Sequence, residues 1–142
     1  MKKILAAALC ALAAPLVFAQ GSPAGLWKTI DDKTGKERSL VRITEGGGAL
    51  VGRIEKRLDP AAKADARCDK CADDRKDRPV DGLEIIRGAR ADGDVWSGGT
   101  ILDPEEGKVY RLRLKLDDAG RKLEVRGYIG PFYRNQHWIR VE

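Results

Sequence analysis

The chain has 142 residues, with 27 Lys and Arg against 22 Asp and Glu, a net charge of +5 and 42% hydrophobic residues. That size supports one small core and argues against a multidomain architecture. The basic residues are interleaved with acidic ones and form no massed basic face, which argues against nucleic acid as a partner.

The chain opens on Met1-Lys2-Lys3, followed by an apolar run from Ile4 to Leu16 broken only by Cys10 and Pro15, then Val17-Phe18-Ala19 before Gln20. A basic start, a short apolar stretch and short residues at positions −3 and −1 mark a secretory signal peptide; the run is too short and wrongly flanked for a membrane span. Residues 1–19 are therefore expected to be removed near Ala19, leaving residues 20–142 as a single exported domain, periplasmic or secreted, with no transmembrane segment. Lys2, Lys3 and Cys10 leave with the leader, so the excess positive charge shrinks and two cysteines remain.

Beyond Ala24 the dominant signal is alternation with period two, interrupted by turn residues about every ten positions. Leu26 to Ile30 reads as a first strand, and Asp31-Asp32-Lys33-Thr34-Gly35 as a turn. Glu37 to Thr44 is the second strand, with Ser39, Val41 and Ile43 on one face. Glu45 to Gly48 turns the chain into a third strand, Ala49 to Arg57. A long polar connection runs from Asp59 to Pro79. Leu83 to Arg87 is a short fourth strand closed by Gly88 to Gly93, and Val95 to Leu102 a fifth with Gly98-Gly99 in its middle. After Asp103-Pro104-Glu105-Glu106-Gly107 comes the clearest strand, Val109 to Leu116, with Tyr110, Leu112, Leu114 and Leu116 on one face. Leu123 to Ile129 is the seventh, with Leu123, Val125, Gly127 and Ile129 inward; Gly130-Pro131 opens the last connection, and His137 to Val141 is the eighth.

No segment reads as a long helix. Eight strands with mostly short connections predict an all-β meander whose first and last strands pair antiparallel, closing an up-and-down barrel without exposed edges. Glycines within strands fit the bends that closure needs. A barrel of eight strands is either filled by side chains or holds one small ligand.

The inventory limits the chemistry. With His137 as the one histidine of the whole chain, neither a His-rich metal site nor a Ser-His-Asp device is supported. Glycine-rich phosphate loops are absent. The reading is non-enzymatic and calls for no cofactor and no metal. Asp31, Asp32, Asp103, Glu105 and Glu106 sit in turns, where turn chemistry accounts for them; a hydrolase using Asp103 or Glu105 stands as an alternative.

Cys68-Asp69-Lys70-Cys71 is the one motif with potential reactivity. A thioredoxin-like site needs a strand before it and a helix after it, a zinc ribbon needs a second ligand pair, and haem attachment needs a histidine where Ala72 stands. A structural disulfide formed in an oxidising compartment is the favoured reading, with labile redox or metal contact as the alternative. Arg111, Arg113, Lys115 and Arg126 form an outward basic stripe, read either as a solvated face or as a surface for anionic headgroups or glycans.

Gly25-Leu26-Trp27 on the first strand and Trp138-Ile139-Arg140 on the last resemble the lipocalin-like (calycin) pattern, in which a basic residue from the last strand stacks on the tryptophan and closes one barrel end. Taken with Thr29-x-Asp31-Asp32-x-Thr34-Gly35, the Cys-x-x-Cys loop, Gly98-Gly99-x-Ile101-Leu102-Asp103-Pro104, Val125-Arg126-Gly127-Tyr128-Ile129-Gly130 and Gln136-x-Trp138-x-Arg140, the chain resembles the exported bacterial family catalogued as domain of unknown function 2147. The resemblance implies a location and a small β-rich fold but no catalytic residues.

The function expected from these features is binding of a small apolar or amphipathic ligand, or a lipid, inside the barrel. Val41, Ile43, Tyr110, Leu112, Leu114, Val125 and Trp138 are the candidate lining, Trp27 with Arg140 the barrel-closing pair, and the cysteine loop a cover for one mouth. The rival readings are a filled barrel that docks on an envelope protein or anionic surface, and a redox enzyme using Cys68 and Cys71.

Overall fold

The computed structural model describes residues 21–142; the expected leader and its cleavage point lie outside the described residues. Eight strands follow one another along the chain: β1 (Gly25–Ile30), β2 (Glu37–Gly46), β3 (Ala49–Arg57), β4 (Glu84–Asp92), β5 (Val95–Asp103), β6 (Lys108–Asp117), β7 (Lys122–Ile129) and β8 (Phe132–Arg140). Each pairs antiparallel with the next, and β1 pairs with β8, so the sheet closes into a lipocalin-like barrel in sequence order. No helix among the described residues is long and apolar enough to cross a membrane.

Alternation fixes the inner face. On β6, Leu112 and Leu114 are buried between half-exposed or exposed neighbours, and on β7 Leu123 and Val125 repeat the pattern. Closure needs bends that ordinary residues resist. At the β4–β5 bend, a Cβ on Gly99 would stand 2.4 Å from both the Ala89 nitrogen and the Arg87 carbonyl oxygen, so only glycine lets the two backbones approach this closely.

Two strands, β4 and β8, are nearly twice as long as the sequence reading, with nine residues each. Gly88 does not end the fourth strand: with φ of 76° it is the extra residue of a bulge against β3, between Leu50↔Ala89 and Val51↔Arg87, and on the other side pairing with β5 continues in the same register to Asp92↔Val95. The eighth strand begins at Phe132 instead of His137, because residues 132–136, read as a connection, pair with β7 from Ile129↔Phe132 to Val125↔Gln136. Their inner-face positions include Arg134 and Gln136, so the apolar alternation that reveals the other strands is missing.

Because strands alternate in direction, the turns gather at two ends. One end holds residues 21–24, the β2–β3, β4–β5 and β6–β7 turns and the C-terminal residues. The other holds the β1–β2 turn, the β5–β6 and β7–β8 turns and the long segment between β3 and β4. The first is shut and the second is a mouth.

Candidate functional site

The shut end is built on Trp27. Its side chain is fully buried, and its indole N–H donates to the Pro23 carbonyl at 2.7 Å. The Arg140 guanidinium lies over the ring with its carbon 4.3 Å from the centroid. Its nitrogens donate to three backbone carbonyls, those of Gly120 (2.6 Å), Ala24 (2.9 Å) and Ser22 (2.7 Å). One planar fork thus ties the entering chain, the β6–β7 turn and the last strand together over an apolar ring.

Above this plug the interior splits into two levels. Ile43, Leu112 and Leu114 are buried in the continuous apolar core, but they do not border the open space. Val41, Tyr110, Val125 and Trp138 do, on the wall of a cavity of about 870 Å³ that opens at the mouth. Ile54, Ile85, Ile101 and Leu102 complete its apolar wall. The sequence reading thus named four residues of the wall and three of the filling beneath it; alternation tells inside from outside but not height along the barrel.

The cavity also has polar features that the reading did not assign. Trp138 Nε1–H donates to Gln136 Oε1 at 3.1 Å, which orients the Gln136 amide along the wall. Thr29 is buried and accepts the Ser39 N–H at 3.1 Å. Arg38, Arg57 and Arg134 stand at the rim. Arg134 pairs with Asp32, and Arg38 pairs with Asp31 at 3.5 Å and also reaches Glu105. The Arg38–Glu105 contact joins β2 to the β5–β6 turn and so spans the opening like a strap; both partners are substantially exposed, so it holds lightly.

The segment between β3 and β4 forms one side of the mouth. Cys68 and Cys71 are joined in a disulfide, with Cα atoms 5.4 Å apart, and both are buried. Cys68 Sγ lies 3.6 Å from the Pro104 carbonyl oxygen. Arg57 reaches back to the segment at Asp81 (2.9 Å) and at the Lys63 carbonyl. Arg87 holds Asp74 through two bonds of 2.8 and 2.9 Å. The buried Arg75 is neutralised by Asp73 at 2.5 Å and donates to the Glu84 carbonyl at 3.0 Å. Ala62, Ala66 and Val80 present apolar surface to the cavity. The segment is therefore a docked wall with a charged outer side.

The carboxylates do turn work. Asp31 accepts the N–H groups of Thr34 (2.8 Å) and Lys33 (2.9 Å), which hold its carboxyl below the ordinary range. Asp103 accepts those of Glu105 and Glu106 at 2.9 and 3.3 Å. The outward basic stripe is partly compensated: Glu124 takes Arg113 at 2.9 Å and Arg126 at 3.5 Å.

This arrangement suits non-covalent uptake: a chamber with apolar residues deep in its wall and charged residues toward the opening, a strapped mouth and a pinned floor. Comparisons agree with the architecture. Protein HP1028 from the human pathogen Helicobacter pylori, described as belonging to the lipocalin family, superposes with a TM-score of 0.71 at 19% identity, over 84% of this chain and 82% of that one. Among curated proteins none matches. Residues 25–140 match the family described as uncharacterised protein conserved in bacteria, domain of unknown function 2147, and the chain belongs to that family.

Proposed function

We propose that the chain is a binding protein and not an enzyme, taking one small apolar or amphipathic molecule, such as a single-chain lipid, tail first into the barrel. The observation that carries this reading is the cavity of about 870 Å³, within the range of roughly 300–1,000 Å³ typical of small-molecule pockets. Its apolar wall offers a tail what water cannot. The Gln136 amide and the arginine-bearing rim suit a polar head left near the mouth. We further propose that the protein works outside the cytoplasm, a reading that rests on residues 1–19.

Tryptophan fluorescence tests the binding reading. Of Trp27, Trp96 and Trp138, the last alone borders the cavity. Titration with a panel of fatty acids and lysolipids is expected to change the emission of the natural protein, and the change is expected to vanish in Trp138→Phe while calorimetry still detects binding. Absence of heat and of any emission change across the panel overturns the reading.

A further inference from the structure

We infer that the lip of the mouth formed by β6, β7 and β8 docks on an anionic lipid bilayer. Among the described residues, four of the six exposed large hydrophobic side chains are here, Phe132 at 77%, Tyr133 at 56%, Ile129 at 50% and Val109 at 45%, while Ile139 and Val141 lie toward the shut end. Ile129 and Phe132 are cross-strand partners at the tip of the β7–β8 hairpin, directly above Tyr128↔Tyr133. Val109 lies on β6 two positions beyond the Arg111↔Tyr128 pair, level with the hairpin turn. The turn itself is Gly130-Pro131; proline brings no N–H that would have to be desolvated. A contiguous apolar lip of this kind marks an interaction site.

Charge selects the occupant. The Arg111 guanidinium lies 5.6 Å from the Tyr128 ring centroid and donates to the Gly130 carbonyl at 3.3 Å; it has no carboxylate partner among the described residues. Arg126 stands 4.3 Å over the Tyr133 ring. Most of the acids beside the lip are already engaged: Asp32 by Arg134, Glu105 by Arg38, Glu106 by Lys108 at 3.6 Å and Glu124 by Arg126 and Arg113, while Asp103 is held by the backbone N–H groups of Glu105 and Glu106. An apolar tip flanked by arginines complements a leaflet whose acyl region lies beneath anionic phosphates. A second copy meeting this patch about a two-fold axis brings the same arginines against each other. The lip is also continuous with the chamber, since Ile129, Phe132 and Tyr133 border both. Docking there faces the opening toward the bilayer. The docking inference goes beyond the binding reading and does not depend on it.

Vesicle flotation decides it. The full chain is expected to float with phosphatidylcholine vesicles containing phosphatidylglycerol and to partition far less onto phosphatidylcholine alone. Val109→Ser with Phe132→Ser is expected to weaken the partition roughly tenfold or more, and Arg111→Glu to weaken it and flatten its salt dependence, with circular dichroism unchanged because these side chains are exposed. Uptake of a soluble fluorescent fatty acid, measured on the same proteins without vesicles, reports on the cavity separately. Failure of the natural protein to float overturns the docking whatever the uptake shows. Equal partition onto neutral vesicles overturns the role given to the arginines. A dimer that Phe132→Ser dissociates, in a protein that does not float, overturns it in favour of self-association.

Discussion

Arg140 binds three carbonyls and a ring at once, and no other side chain has that combination of planarity and donors. Lysine carries the charge but has one nitrogen, so it cannot span Gly120, Ala24 and Ser22 together. Arg140→Ala is expected to cost about 2–3 kcal/mol, from charge-assisted hydrogen bonds plus the stacking, and Arg140→Lys to recover less than half of that; urea unfolding midpoints measure both. Trp27 and Arg140 were legible in the sequence because each sits beside a recognisable strand signal. Arg38, Arg57 and Arg134 were not. Each is an arginine on a strand, indistinguishable by type from Arg42 or Arg53, and only the assembled barrel separates the rim from the outer surface.

At the scale of the element, the segment between β3 and β4 decides how the mouth is walled. Its docking depends on carboxylates facing arginines. The Arg75 side chain and backbone N–H hold Asp73 down at about 2, Arg87 lowers Asp74, and Arg57 lowers Asp81. A carboxylate lowered in the folded state stabilises fully above its ordinary value and loses that contribution as pH falls through its folded value. Docking is therefore expected to be intact at neutral pH and to loosen between about pH 4 and pH 2. Amide protection of residues 59–83, corrected for intrinsic exchange, is expected to fall in that window ahead of the strands. The segment also touches the β5–β6 turn. A Cβ on Gly107 would meet the Lys70 carbonyl oxygen at 2.0 Å, and Gly107 has φ of 68°, so Gly107→Ala is both strained and crowded. That variant is expected to free the segment, seen as faster proteolysis between Asp59 and Pro79 with the disulfide still intact.

The elements themselves were read unevenly, for physical reasons. Strands β2, β3, β6 and β7 alternate apolar and polar residues because one face meets core and the other water. Strand β8 lines a chamber that admits polar groups, so Arg134 and Gln136 point inward and the pattern dissolves where the site is. The same openness hid the lip: Phe132 and Tyr133 follow Gly130-Pro131 and look like loop residues until pairing with β7 makes them a hairpin tip. The disulfide was favoured by eliminating other chemistries, but the way it seats the segment against Pro104 depends on contacts distant in sequence.

For the whole molecule, eight strands in meander order suffice to derive a closed barrel, since closure is how a small all-β chain removes its edges. How much of the barrel is filled does not follow from the pattern. It depends on how high each side chain sits, hence on registers and bulges such as that between Leu40 and Val41. The seam is shorter than the other junctions: β1 and β8 share Trp27↔Arg140 and Lys28↔Ile139, continued by Leu26 bonding to Val141 at 2.8 Å and Glu142 at 2.9 Å, while β7 and β8 pair along eight positions. Thr29 and Ile30 continue toward the mouth without ladder partners on β8 and border the cavity instead. Its consequence lies in time. Arg140 and Ala24 are 116 residues apart in the chain, so the seam closes after the local hairpins have formed, as the most entropically costly contact of the fold. Until then β1 and β8 are bare edges. Arg140→Lys is therefore expected to speed unfolding and leave the folding rate nearly unchanged in stopped-flow kinetics: the residue that shuts the barrel sets how long each molecule stays shut, not how fast it forms.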